Sequence, residues 1–296
     1  MPDRQAIFFI CIGMIRLAIQ SKGRLNEDSL RLLREIGIGI DDAKRKFLGK
    51  AADFPLEVLY LRDDDIPGVV EGGAADIGIV GLNEISETGA DVEVVRRLGF
   101  GQCRLSLAVP KNVDYPGEEW FNGKIIATSY PCILKDYLTK NGIQATVREI
   151  KGSVEIAPAA GIAEAIFDIV SSGGTLISNG LVEVKTVLES EAVLICRKDI
   201  PAERKTLLDT ILFRIDAALE SQGKKYVLMN LPTARIGDAL ALLPSMRSPT
   251  VMPLAAEGWS SVSTVVSDSS LWQTVEALKG IGAEGILILN LDKVID

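Results

Sequence analysis

Short apolar runs recur along this chain, separated by polar turns and by stretches whose apolar positions return every three or four residues. Runs of that kind are expected of strands buried on both faces of a sheet and covered by helices. Strands are predicted at residues 15–19, 56–61, 77–80, 103–109, 125–127, 147–150 and 167–170, with a long strand pair at 184–196 returning toward the first part of the chain. Asn26 is placed to cap a helix that runs to Ile36. Asp63, Asp64 and Asp65 stand where acids complement the positive end of a helix dipole, which explains most of that charge without a ligand. A helix is predicted at 133–140, residues 163–167 read as the end of another, and Thr175 can begin a further one. Residues 201–219 form a helix with Pro201 near its start and a packing stripe of Leu208, Ile211, Leu212, Ile215 and Leu219.

After the linker SQGKK the pattern changes. Strands at 226–229, 250–254, 262–266 and 286–289 alternate with helices at 236–243 and 271–279, giving the order β-α-β-β-α-β of the ferredoxin-like plan. Such a domain serves either as an amino-acid sensor or as an assembly surface, and periodicity does not choose between them. The strand–helix–strand rhythm before it resembles the type II periplasmic-binding architecture, in which two α/β lobes close over a cleft. The expected division is lobe I at 14–110 and 182–222, lobe II at 111–181, and the ferredoxin-like domain at 223–296. Two crossings between lobes make a hinge, so closure over substrates is mechanically natural.

Bulk properties narrow the function. At 296 residues the chain can bury two or three modest cores, and 47% hydrophobic residues suit sheets buried on both faces. Mean hydropathy is +0.24, yet no apolar run approaches a membrane span. A net charge of -8 argues against a general nucleic-acid binder. Cys11, Cys103, Cys132 and Cys196 show no paired spacing, which points to a reduced, cytoplasmic protein without structural zinc. The chain has no histidine, so imidazole chemistry is excluded. The opening MPDRQAIFFICIG is short for a secretory signal and lacks a convincing cleavage site. We read Met14 as the native start and residues 1–13 as an upstream extension.

The chemistry gathers at EIAPAAGIAEAIFDIVSSGGTL, residues 155–176. Asp168 lies in a short strand, and Ser171, Ser172, Gly173, Gly174 and Thr175 follow as a small polar turn before a helix. Small side chains let backbone N–H groups close around an anion, and the hydroxyls add donors. A carboxylate just before such a loop suits a sugar phosphate, although the loop alone equally fits a surface turn with a good helix cap. Lys22, Gly23 and Arg24 follow the first strand, at the sheet end where α/β proteins place ligands, and would otherwise be a solvated basic turn.

The pieces QSKGRL, RDDDIPG, ADIGIVGLNE, GQCRLSLAVP, IATSYP, GSVEIAP, the 155–176 stretch and SPTVMPLA keep their order across nearly everything after Met14. Together they resemble the long form of the ATP phosphoribosyltransferase family, whose 155–176 counterpart is its phosphoribosyl-pyrophosphate (PRPP) signature. The resemblance implies transfer of phosphoribose from PRPP to N1 of ATP with release of pyrophosphate, the first step of histidine biosynthesis. It assigns Ser171, Ser172, Gly173, Gly174 and Thr175 to the 5′-phosphate, Asp168 to the ribose hydroxyls, and Lys22, Gly23 and Arg24 to the polyphosphates. Ser129 and Tyr130 would line the cleft on the ATP and pyrophosphate side. Glu155 is a further ribose candidate whose alternative is a cap or salt bridge. No residue is assigned as acid, base or nucleophile, and Mg2+ is expected on pyrophosphate rather than on protein ligands. The resemblance also implies feedback by histidine at the C-terminal domain, with Asn230, Leu254 and Ala255 named from matching strand ends, and homo-oligomers shifting between dimer and hexamer. No nucleic-acid or membrane partner is expected. Two departures are visible: Ala159 stands where some relatives carry arginine, and Ser172 where threonine is common, keeping its hydroxyl. The rivals are a non-catalytic two-lobed solute binder and a nucleobase phosphoribosyltransferase. The second has two adjacent acids before its loop, where this chain has Asp168 alone.

Overall fold

The computed structural model describes residues 13–40, 48–243 and 248–295, so the expected extension lies outside them apart from Gly13. Packing divides the chain into a unit of residues 1–210 and a unit of residues 211–296, a boundary inside the long helix rather than in the SQGKK linker.

In the first unit the chain opens with β1 (Ile15–Gln20), α1 (Arg24–Glu35), β2 (Leu48–Lys50) and β3 (Leu56–Leu61). A 3-10 turn at Asp63–Asp65 leads into α2 (Ile66–Glu71), then β4 (Ile77–Gly81), α3 (Leu82–Thr88) and β5 (Val92–Arg97). The run continues through β6 (Cys103–Pro110), β7 (Ile125–Thr128), α4 (Pro131–Lys140), β8 (Thr146–Glu149), β9 (Ala165–Val170) and α5 (Gly174–Ser178). It ends with β10 (Leu181–Ser190), β11 (Ala192–Arg197) and α6 (Ala202–Ser221), which reaches into the second unit.

Two sheets result. One has the order β2-β3-β1-β4-β11-β5, the other β10-β6-β9-β7-β8. Apart from the edge strand β2, each sheet sets three parallel strands in the order second-first-third. A returning antiparallel strand follows, β11 in one and β6 in the other, and then the fourth. This is the expected two-lobed α/β plan. The apolar runs are buried on both faces, as β4 shows: Ile77, Ile79 and Val80 are almost wholly covered. Gly78 lets α2 lie directly on that strand, since a Cβ there would meet Ile66 Cγ2 at 2.8 Å. Buried Asp76 ties the lobe together, accepting from the Arg16 backbone N–H at 2.9 Å and from Arg204 of α6 at 2.6 Å.

Four expectations need correction. Residues 163–167 are not a helix end: Gly161, at φ 69, stops the preceding turns, and the Glu164 N–H already donates to Ile125 O. Pairing of Ala165 with β7 overrides the helix propensity of an alanine-rich segment. Asn26 does not cap α1, which starts at Arg24 behind Gly23; its side chain donates instead to Gln20 O at 2.6 Å. The strands within 184–196 do not pair with each other, because β10 pairs β6 while β11 lies between β4 and β5. The crossings therefore fall at 98–102 and at Glu191, and both β6 and β10 belong to the second lobe rather than the first.

The second unit continues with β12 (Lys224–Pro232), α7 (Ile236–Leu242), β13 (Thr250–Pro253), β14 (Trp259–Ser267), α8 (Leu271–Gly280) and β15 (Glu284–Asn290). Its sheet has the order β13-β14-β12-β15, antiparallel throughout, so the ferredoxin-like plan is as predicted. Period-two burial along β12 puts Val227, Met229 and Leu231 on one face, where they join Ala239 of α7 and Leu271, Val275 and Leu278 of α8 in a single core.

Candidate active site

The carboxyl ends of the strands of both lobes open onto a cleft of about 300 Å³, where ligands of α/β sheets bind. Gln20, Gly23 and Arg24 line it from the β1–α1 junction, Asp63 from the 3-10 turn after β3, and Asn83 and Glu84 from the first turn of α3. Gln102 comes from the first crossing, and Cys103, Tyr130, Ile169 and Ser171 from the second lobe. Gly23 takes φ 97, in the left-handed region, which turns the chain sharply from β1 into α1 and sets Arg24 at the helix start. Lys22 is exposed and is not part of that lining.

The 171–175 loop follows β9 directly. Gly173, at φ 81, sits at the N-terminus of α5, and the Ser172 hydroxyl accepts from the Gly174 N–H at 3.5 Å. Ser171, Ser172, Gly174 and Thr175 are exposed, so a ligand can reach the loop. Asp168 stands three residues before the loop, opposite Ser106 in the β6–β9 ladder. Burial lifts its carboxyl to about 6, against the backbone N–H of Ile169 and with help from the charge of Glu155. Glu155 is thus close enough to act on Asp168. It lies in a 3-10 turn entered through Ser153, a non-glycine residue at φ 50.

Ser129 and Tyr130 have different fates. The Ser129 hydroxyl donates to Ile150 O at 2.7 Å, tying β7 to the end of β8, and is absent from the cleft lining. Tyr130 enters the cleft and donates to Glu84 Oε1 at 3.2 Å. The same oxygen accepts from Asn83 Nδ2 at 2.7 Å, while Asn83 Oδ1 accepts from Ser190 at 2.7 Å. One polar chain therefore joins the first lobe, the second lobe and the last residue of β10. Burial first, then the charge of Asp63, pushes Glu84 up to about 7, although the Tyr130 hydrogen bond works the other way. Burial and the neighbouring Glu84 push the Tyr130 phenol upward as well. A carboxyl near 7 exchanges donor and acceptor roles at neutral pH. Beside it, Glu87 accepts from the backbone N–H groups of Cys132 and Ile133 at 2.8 and 3.0 Å, capping α4 from the other lobe.

Asn83, Glu84, Gln20 and Gln102 were not picked out in the sequence. The available signal was position: Asn83 and Glu84 follow a buried strand, as the residues after β1 do. In the second unit, Asn230 lies opposite Ser261 in the β12–β14 ladder, and Leu254 donates its N–H to Trp259 O just past β13. Asn230 is therefore on β12 and Leu254 just past the end of β13, strands separated by β14, with Ala255 exposed beyond.

The family model described as ATP phosphoribosyltransferase matches residues 62–217, and that of the HisG C-terminal domain matches 221–293. The ATP phosphoribosyltransferase of Phocaeicola vulgatus is 56% identical over 282 residues, covering 95% of this chain and 100% of that protein. That of Cytophaga hutchinsonii is 52% identical over the same share of this chain and 99% of its own. Among solved structures, the ATP phosphoribosyl transferase (HisG:HisZ) complex from Thermotoga maritima gives a TM-score of 0.60 at 27% identity, covering 68% of this chain and 96% of that one. On these grounds the chain belongs to the ATP phosphoribosyltransferase family, pentosyltransferases of the first step of histidine biosynthesis.

Proposed function

We propose that this enzyme joins N1 of the adenine of ATP to C1 of the ribose of PRPP, giving N1-(5-phosphoribosyl)-ATP and pyrophosphate. The observation that carries the reading is Asp168 in β9, directly ahead of the open loop 171–175, in a chain of this family. The C1–pyrophosphate bond breaks as the N1–C1 bond forms, and the carbon inverts. Adenine N1 has a free lone pair at neutral pH, so no base is needed to make the nucleophile, in keeping with a chain that has no histidine. What remains for the protein is to align two substrates and stabilise charge on the leaving group.

The amides of Ser172, Gly173 and Gly174 with the hydroxyls of Ser171, Ser172 and Thr175 hold the 5′-phosphate. Asp168 accepts from the ribose hydroxyls, with Glu155 acting through it. Lys22 and Arg24 attract the polyphosphates, and Gly23 keeps the backbone close. Tyr130 lines the cleft on the ATP and pyrophosphate side. Magnesium enters as the companion of pyrophosphate and neutralises part of its charge; among the described residues no three or more Cys, Asp or Glu side chains form a metal cage. The ferredoxin-like domain is the seat of histidine feedback, with Asn230, Leu254 and Ala255 as contacts, and the chain forms dimers and hexamers in the cytoplasm.

Calorimetric titration tests the substrate pair. The reading expects both PRPP and ATP to bind the enzyme in the presence of magnesium. Binding of PRPP without ATP would favour a nucleobase acceptor, and binding of neither would return the chain to a sensor.

A further inference from the structure

GQCRLSLAVP carries an arginine that the proposed reaction leaves without a role. Arg104 lies on β6, beside Val170 at the end of β9. Its guanidinium makes a two-pronged bond to Glu183 of β10, Nε to Oε1 and Nη2 to Oε2, each at 2.5 Å. The remaining edge donates from Nη1 to the backbone carbonyl of Ser171 at 3.2 Å. Glu183 is fixed in turn by hydroxyl donors, Ser106 at 2.7 Å and Thr186 at 3.2 Å. Arg104, working against partial burial and helped by Ser106, holds the Glu183 carboxyl at about 2, so the clamp stays charged at any working pH.

From this geometry we infer that Arg104 is a positioning residue for PRPP, setting the phosphate loop through the Ser171 carbonyl. The inference rests on the reading of 171–175 as the 5′-phosphate seat. Its physical basis is the planarity of two groups. Glu183 fixes the plane of the guanidinium, and the free edge then fixes the direction of the Ser171 carbonyl. The peptide that follows is trans and planar, so the Ser172 N–H must point opposite to that carbonyl. One of the amides offered to the phosphate is thereby set before the ligand arrives. Lysine cannot substitute, because a single ammonium lacks the fork that serves the carboxylate and the carbonyl together.

The test is steady-state kinetics of the full-length enzyme, with the KM of each substrate measured separately. Arg104→Ala should raise KM for PRPP about tenfold or more and leave KM for ATP within about twofold. Arg104→Lys should behave like the alanine variant. Arg104 also walls a cavity of about 570 Å³ beside Ser171, through which a small cation can reach the vacated place. Methylguanidinium added to Arg104→Ala should therefore lower KM for PRPP again, an effect that a general loss of structure would not give. Glu183→Gln keeps the arginine but weakens its anchor, and should raise KM for PRPP several-fold. An unchanged KM for PRPP in these variants, an equal rise for ATP, or no response to methylguanidinium overturns the inference. Loss of the functional reading is seen separately, as absence of turnover by the wild-type enzyme with ATP and PRPP.

Discussion

At Asp168 the carboxyl titrates near 6 because burial disfavours its charge. If it accepts from the ribose hydroxyls, Asp168→Ala should raise KM for PRPP roughly tenfold to a hundredfold, with ATP binding almost unchanged. An equal loss for both ligands would contradict the assignment. The pH dependence follows from the same shift. Above pH 7 the group is charged and accepts; as pH falls through 6 it gains a proton and the advantage over Asp168→Asn shrinks. Comparing kcat/KM for PRPP in the two proteins cancels the ionisations of PRPP itself. A ratio that stays constant from pH 5 to 8 would remove Asp168 from the ribose. Asp168 and the loop were legible because small residues after an apolar strand form a local pattern. Glu84 was not, since its chemistry depends on burial beneath Tyr130, which lies 46 residues further along the chain.

At the scale of elements, α3 and α4 meet across the two lobes through Glu84, Glu87 and the N-terminus of α4. Glu84 holds its proton to about 7, well above the ordinary 4.5. The folded protein then binds more protons than the unfolded chain between those values, so this carboxyl destabilises the fold progressively as pH rises from 4.5 to 7. Glu84→Gln removes the ionisation. Its unfolding free energy should gain on the wild type across that interval and stay ahead by a constant increment above it, a gain on the order of 3 kcal/mol. A difference independent of pH would mean the carboxyl is not held protonated. Removing the Glu87 cap by Glu87→Ala should cost about 1 kcal/mol, read by denaturant unfolding. Element positions were largely legible from apolar runs. The errors at Ala163, Asn26 and 184–196 arose where pairing with a distant strand or a glycine turn outweighed local propensity.

At the scale of the whole molecule, one unit is two-lobed, with strands that point at a cleft, and the other is ferredoxin-like. The order of elements in both was readable, because each strand–helix repeat is written in contiguous sequence. Sheet membership was not: whether β6 and β10 belong to one lobe or the other is decided by pairing between strands roughly eighty residues apart, as Ser106 and Thr186 are. The measurement that bears most directly on the account is the initial rate of pyrophosphate release from ATP and PRPP with magnesium, with and without millimolar histidine. The account predicts turnover that needs both substrates and is suppressed by histidine. Turnover indifferent to histidine would leave the catalytic reading and contradict the sensor role of the last domain, and no pyrophosphate release would contradict the reaction itself.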